Sequence, residues 1–238
     1  RFAPTSTNEQ LEKAGQLKAE YPDVYVHTHL SENKNEIAWV KELFPERKGY
    51  LDVYHHYGLT GAKSVFAHCV HLEEQEWHCM QQTNSAIAFC PTSNLFLGSG
   101  LFPLKKAWDK QVKVGLGTDI GAGTSFNQLQ TLNEAYKVQQ LQGEKLSAFE
   151  ALYHATLGGA KALSLDDRLG NFNIGKEADF VVLDLNATAL QQLRQSRAKN
   201  IEDAFFALTM LGDDRNIAVT YVYGEAIYVK ARCTRSDD

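Results

Sequence analysis

Hydrophobic positions along this chain fall into two textures. Short, nearly unbroken apolar runs, VYVHTH (residues 24–29), SVFAHC (64–69), AIAFC (86–90) and VKVGLGTD (112–119), are separated by longer stretches in which apolar residues recur at helical spacing among polar ones. The run NEQLEKAGQLKAEY, capped by Ser6 or Thr7, predicts a helix that stops before Pro22. Further helices are predicted from Asn33 to about residue 43, through YLDVYHHYGL to Gly58, through LEEQEWHCMQQT with Leu72, Trp77 and Met80 on its inner face, and briefly in LFPLKKAWDK. Apolar, nonalternating strands separated by helices predict a parallel sheet covered on both faces. Four such units are visible, half of what an eight-stranded barrel needs. Beyond Asp119, helices are predicted at 126–141 and 147–157, the second capped by Ser147 and ended by Gly158-Gly159. The texture then changes. IGKEADFVVLD holds a short strand, QQLRQSRAKN reads as polar and exposed, and IAVTYVYGEAIYV reads as a hairpin around Gly224-Glu225. The expected architecture is α/β: half a barrel over residues 1–165, then over 166–238 the end of the barrel helices and the strands of a small β domain.

Composition narrows the classes. A chain of 238 residues, 44% hydrophobic and 22% charged, can bury the core of a globular domain. A formal net charge of -5 with a pI near 5.9 argues against nucleic-acid or anionic-membrane partners held by bulk charge. No apolar run approaches the ~20 residues of a membrane helix, and no signal peptide is visible. Cys69, Cys79, Cys90 and Cys233 form no CxxC pair, which predicts reduced thiols and a cytoplasmic location. The opening RFAPTST reads as a strand end followed by a helix cap, as if the chain were cut from a longer one.

Chemistry gathers at the strand ends. His27 and His29 are two apart and share one face of the first strand, and Glu32 falls just past its end. Alone, an HxH run is more often a polar strand edge than a metal site. The second strand, however, ends in His68, the third leads to Asn94, and the fourth ends in Asp119. In a parallel barrel these ends lie on one rim, where imidazole and carboxylate groups can support metal-assisted hydrolysis with acid–base help. Asn94 either caps its loop or reaches the active site. His71, spaced from His68 as HxxH, starts the next loop; His55, His56 and His78 are expected in solvent, His154 in a structural role, and Cys69 and Cys90 as inert thiols.

HTHLSE, FAHC, CPTSN and GLGTDIGAG, in this order and spacing, resemble the second half of the barrel of the amidohydrolase superfamily, and specifically its guanine deaminase branch. LGNFNIGKEADFVVLD is similar to the segment that returns the superfamily's chain to its small β domain. The resemblance runs from Arg1 to about Lys230. It implies a TIM-type (β/α)8 barrel and one Zn2+ per active site, with His29 and Asp119 as metal ligands. It implies Glu32 as proton shuttle, His68 beside the activated water, Asp119 as acceptor of that water's proton, and Arg1 and Phe2 as contacts to the purine next to His29 and Glu32. It gives His27 no ligand role. The implied reaction is hydrolysis of guanine to xanthine and ammonia by a homodimeric enzyme of purine catabolism; relatives acting on another purine, a pterin or a triazine are the nearest alternative. The family's other two ligands come from an HxH after the first barrel strand, which has no counterpart in this sequence, so a segment inactive on its own is the second expectation.

Overall fold

The structure, a computed structural model, describes residues 2–231. Helix α1 (Asn8–Glu20) begins where predicted, with Thr7 as its cap and Gln10 bonding back to the Thr7 backbone. Four β/α units follow: β1 (Val26–Leu30) with α2 (Lys34–Leu43) and α3 (Tyr50–His56), β2 (Ser64–His68) with α4 (Glu74–Gln82), β3 (Ala86–Phe89) with α5 (Pro91–Phe96) and α6 (Leu104–Asp109), and β4 (Lys113–Leu116) with α7 (Gln128–Leu141), α8 (Ala148–Ala155) and α9 (Leu157–Ala162). The strands form one parallel sheet in the order β1-β2-β3-β4. This is the α/β, TIM-type arrangement of successive parallel strands expected from the sequence.

Register explains why the sheet has two characters. Thr28, Phe66, Ile87 and Val114 stand side by side and face the helices, where Tyr54, Trp77, Phe89 and Phe102 complete the core. Each fully buried phenylalanine there contributes roughly 1.5–3 kcal/mol. On the opposite face the rows are His27–Val65–Ala86 and His29–Ala67–Ala88–Gly115, small residues beside two imidazoles. Helix α9 lies against this second face. A Cβ on Gly115 would stand 3.0 Å from Gly159 Cα, so position 115 has little room for a side chain between the backbones.

That contact overturns one expectation. Gly158 and Gly159 do not end a helix; α9 runs through them, because they bring helix and strand together rather than supplying a cap. Helix α5, opened by Pro91 at its first position, was not expected, nor was α11 (Ile201–Leu211). The polar run QQLRQSRAKN contributes to α10 (Ala189–Gln195), and it is not wholly exposed: Gln191 is buried and exchanges amide hydrogen bonds of 3.0 and 3.1 Å with buried Asn216.

A separate three-stranded antiparallel sheet is built from β5 (Phe180–Leu183), β6 (Ile217–Val222) and β7 (Glu225–Val229). Its hairpin turns at Tyr223-Gly224, both at positive φ, one residue earlier than expected and with Glu225 already in the strand. Among the described residues no helix is long and apolar enough to cross a membrane.

Candidate active site

All four strand ends open onto one rim, and three of them bend there through left-handed backbone. Ser31 (φ 47°), His68 (φ 75°), Cys69 (φ 52°) and Asp119 (φ 48°) occupy a region that costs a non-glycine residue of order 1 kcal/mol or more, and such strain gathers at functional sites. Backbone hydrogen bonds past the strand ends hold these turns: Cys69 N–H to Leu30 O at 2.8 Å, His71 N–H to Ser31 O at 3.1 Å, and Gly117 N–H to Phe89 O at 2.9 Å. After Asp119 the chain doubles back so closely that a Cβ on Gly123 would stand 1.7 Å from Thr118 O, and Gly123 N–H donates to Asp119 O at 2.5 Å. Only glycine fits that turn.

The turns bring together most of the residues expected from the sequence. Ligand atoms of His29, His68 and Asp119 all lie within 4.8 Å of one another. His68 Nε2 stands 3.8 Å from Glu32 Oε2 and 4.0 Å from Asp119 Oδ2. The rings of His29 and His68 are 5.2 Å apart, and Phe2 meets His29 edge-on at 5.5 Å. Arg1 lies outside the described residues. His27 shares the sheet face with His29 but is not in the cluster. Partial desolvation and the His29 imidazole push its pKa down.

Burial sets the protonation of His68. With 1% of its side chain exposed, its pKa is pushed down to about 4, first by loss of hydration and then by the neighbouring His29, against the pull of Asp119. Its Nε2 has no hydrogen-bond partner although it is buried. His29 and the two carboxylates, with the neutral His68 imidazole beside them, make a donor set suited to Zn2+. Unpartnered buried polar atoms are rare unless something else satisfies them.

Several residues that shape this rim escaped the sequence reading. Glu36, buried in the first turn of α2, accepts from the backbone N–H of Glu32 at 3.0 Å and of Asn33 at 3.3 Å, and from the Tyr50 hydroxyl at 2.6 Å. The Asn33-x-x-Glu36 spacing is a capping-box pattern that could have flagged it. Ser99 donates to Glu32 Oε1 at 3.0 Å. The Tyr54 hydroxyl accepts from Ala3 N–H and donates to His29 O, both at 2.9 Å; burial raises its pKa. Asn94, left open between two roles, stands against His68, its Nδ2 3.0 Å from His68 Nδ1. His71 Nε2 is instead 2.7 Å from Ser99 O, away from the cluster. His154 is buried with Nδ1 3.0 Å from Val114 O, while His55, His56 and His78 are exposed. The Cys69 and Cys90 thiols are buried, which raises their pKa values, that of Cys90 to about 12.

Known proteins resemble this chain along nearly its whole length. A model of the amidohydrolase family matches residues 1–227. The chain is 68% identical to guanine deaminase of Escherichia coli K12 over 96% of its own length and 52% of the relative's. A solved structure of E. coli guanine deaminase superposes with a TM-score of 0.96 at 67% identity, covering 97% of this chain and 54% of that one. Guanine deaminase from C. acetobutylicum with bound guanine gives a TM-score of 0.86 at 33% identity, over 96% and 54% of the two chains. An adenosine deaminase from Xanthomonas campestris with bound zinc gives 0.82 at 26%, over 95% and 50%. The chain spans about half the length of the curated relatives it matches.

Proposed function

The chain belongs to the amidohydrolase family, and on that footing we propose that it serves the zinc-dependent hydrolysis of guanine to xanthine and ammonia. The observation that carries this reading is the convergence of His29, His68 and Asp119 beside Glu32, in a chain 68% identical to guanine deaminase.

His29 and Asp119 would hold Zn2+, which supplies a water with a pKa lowered to about 7. Asp119 accepts the proton of the attacking water and returns it to the amine, which leaves as ammonia. Glu32, pinned by Ser99 at one oxygen and by Glu36 through its backbone, gives its proton to a purine ring nitrogen and regains one from the added hydroxyl as the C–N bond breaks. His68 Nε2, 3.8 and 4.0 Å from the two carboxylates, would face the attacking water held between them. Phe2 stacks on the purine and Arg1 hydrogen-bonds to it. Residues 1–165 carry this chemistry, with 166–238 as the end of the barrel helices and the small β domain. The same reading includes a cytoplasmic homodimer.

One observation favours a second reading, that this segment alone is not competent. His29 is exposed on its sheet face, and the outer edge of β1 pairs with no described strand. Zinc analysis and a guanine-to-xanthine assay test both, applied to this chain alone and to this chain joined to the half of the E. coli relative that it does not match. Turnover in the joined protein that falls 100- to 10,000-fold in Glu32→Gln, with zinc retained, is the expected outcome, about the range general acid–base help supplies. Near-full activity of that variant, or no turnover in the joined protein, would refute the proposal.

A further inference from the structure

We propose that Asn94 is a positioning residue for His68: by facing Nδ1 it selects the tautomer that carries the ring proton on Nε2, the form His68 needs for the place beside the metal that the functional reading already gives it. The role at the metal rests on the functional reading above; the tautomer does not.

Asn94 and His68 are each 1% exposed, so water does not compete for their contact. A buried, neutral imidazole has one ring proton, and its position follows from what the two nitrogens face. His68 Nδ1 faces the amide nitrogen of Asn94 at 3.0 Å. An amide N–H2 only donates, so Nδ1 must accept and the proton sits on Nε2. A histidine that binds metal through Nε2 ordinarily shows the opposite polarity: its Nδ1–H donates to a carboxylate or carbonyl, leaving a lone pair on Nε2. The other end of the ring agrees. Nε2 points toward Glu32 Oε2 and Asp119 Oδ2, where a proton is attracted and a lone pair repelled.

The Asn94 backbone is well anchored, while its Oδ1 is buried with no hydrogen-bond partner. It sits in α5, which Pro91 starts; its N–H donates to Cys90 O at 3.0 Å, and its carbonyl accepts from Ser99 N–H at 2.8 Å. The same chain contains an internal contrast. His154 Nδ1 faces the Val114 carbonyl at 3.0 Å, which fixes its proton on Nδ1.

The test is long-range 1H–15N correlation on this chain, labelled at histidine and held metal-free at neutral pH. His68 should show a protonated Nε2 and a bare Nδ1, His154 the reverse. Asn94→Asp, whose carboxylate accepts instead of donating, should turn His68 to the His154 pattern and tighten zinc binding by about tenfold, because a third ligand becomes available. Asn94→Leu should leave His68 with a mixture of tautomers. A wild-type His68 with its proton on Nδ1 would overturn the proposal even if neither variant folded, and so would an Asn94→Asp protein whose His68 is unchanged. None of these signals depends on guanine turnover, so a failed deamination assay leaves the inference standing or falling by itself.

Discussion

Replacing Glu36 by alanine would strip one acceptor from three donors at once. The Tyr50 hydroxyl, on a residue only 2% exposed, would lose its 2.6 Å partner, and the N–H groups of Glu32 and Asn33 would lose theirs at the start of α2. An orphaned buried hydroxyl costs about 1–3 kcal/mol, and loss of a helix-start acceptor about 1 kcal/mol, so Glu36→Ala should destabilise by ~2–4 kcal/mol. Glu36→Gln keeps the volume and can still accept from Tyr50, but its amide nitrogen cannot accept from the backbone. It should cost ~1 kcal/mol. Tyr50→Phe supplies the cross-check: added to Glu36→Ala it removes the orphaned hydroxyl, so the double variant should be more stable than the sum of the singles predicts by ~1–2 kcal/mol. Urea titration of the metal-free chain, followed by tryptophan fluorescence, to which buried Trp77 contributes, reads these differences as midpoint shifts at constant slope. Additivity within ~0.5 kcal/mol, or a glutamine variant as unstable as the alanine one, would refute the picture of one carboxylate serving both the Glu32 turn and α3.

Gly123→Ala should weaken zinc binding by about tenfold or more, read by competition with a chelating dye, because the new Cβ displaces the Thr118–Asp119 backbone that it would meet at 1.7 and 2.8 Å. His154 governs part of the acid response. Burial depresses its folded-state pKa below the ordinary value of about 6.5, so the stability it contributes is fully present above pH 6.5 and lost as pH falls through the depressed value. His154→Gln should flatten the stability–pH curve on that acid limb, and an unchanged limb in urea titrations at stepped pH would count against the assignment.

What the sequence made legible was whatever local chemistry decides. Thr7, Asn33 and Ser147 announce their helices because each side chain bonds to a backbone N–H three residues on. His68 and Asp119 stood out because a polar group closes an otherwise apolar strand. Long-range contacts left no such trace. Ser99 reaches Glu32 across 67 positions and Tyr54 reaches Ala3 across 51. The glycine pair at 158–159 misled for a related reason: the same residue type ends a helix or admits a neighbouring backbone, and only the packing against Gly115 distinguishes the two.

The Tyr54 bridge has a practical side for redesign. Its oxygen joins the N–H of Ala3, the carbonyl of His29 and, at 3.3 Å, the Thr28 hydroxyl, none of them on residue 2, so no exchange of the ring at position 2 can remove it. Phe2 can therefore be scanned through smaller and larger aromatics while its anchor to β1 stays fastened, making position 2 an adjustable jaw on a fixed vice.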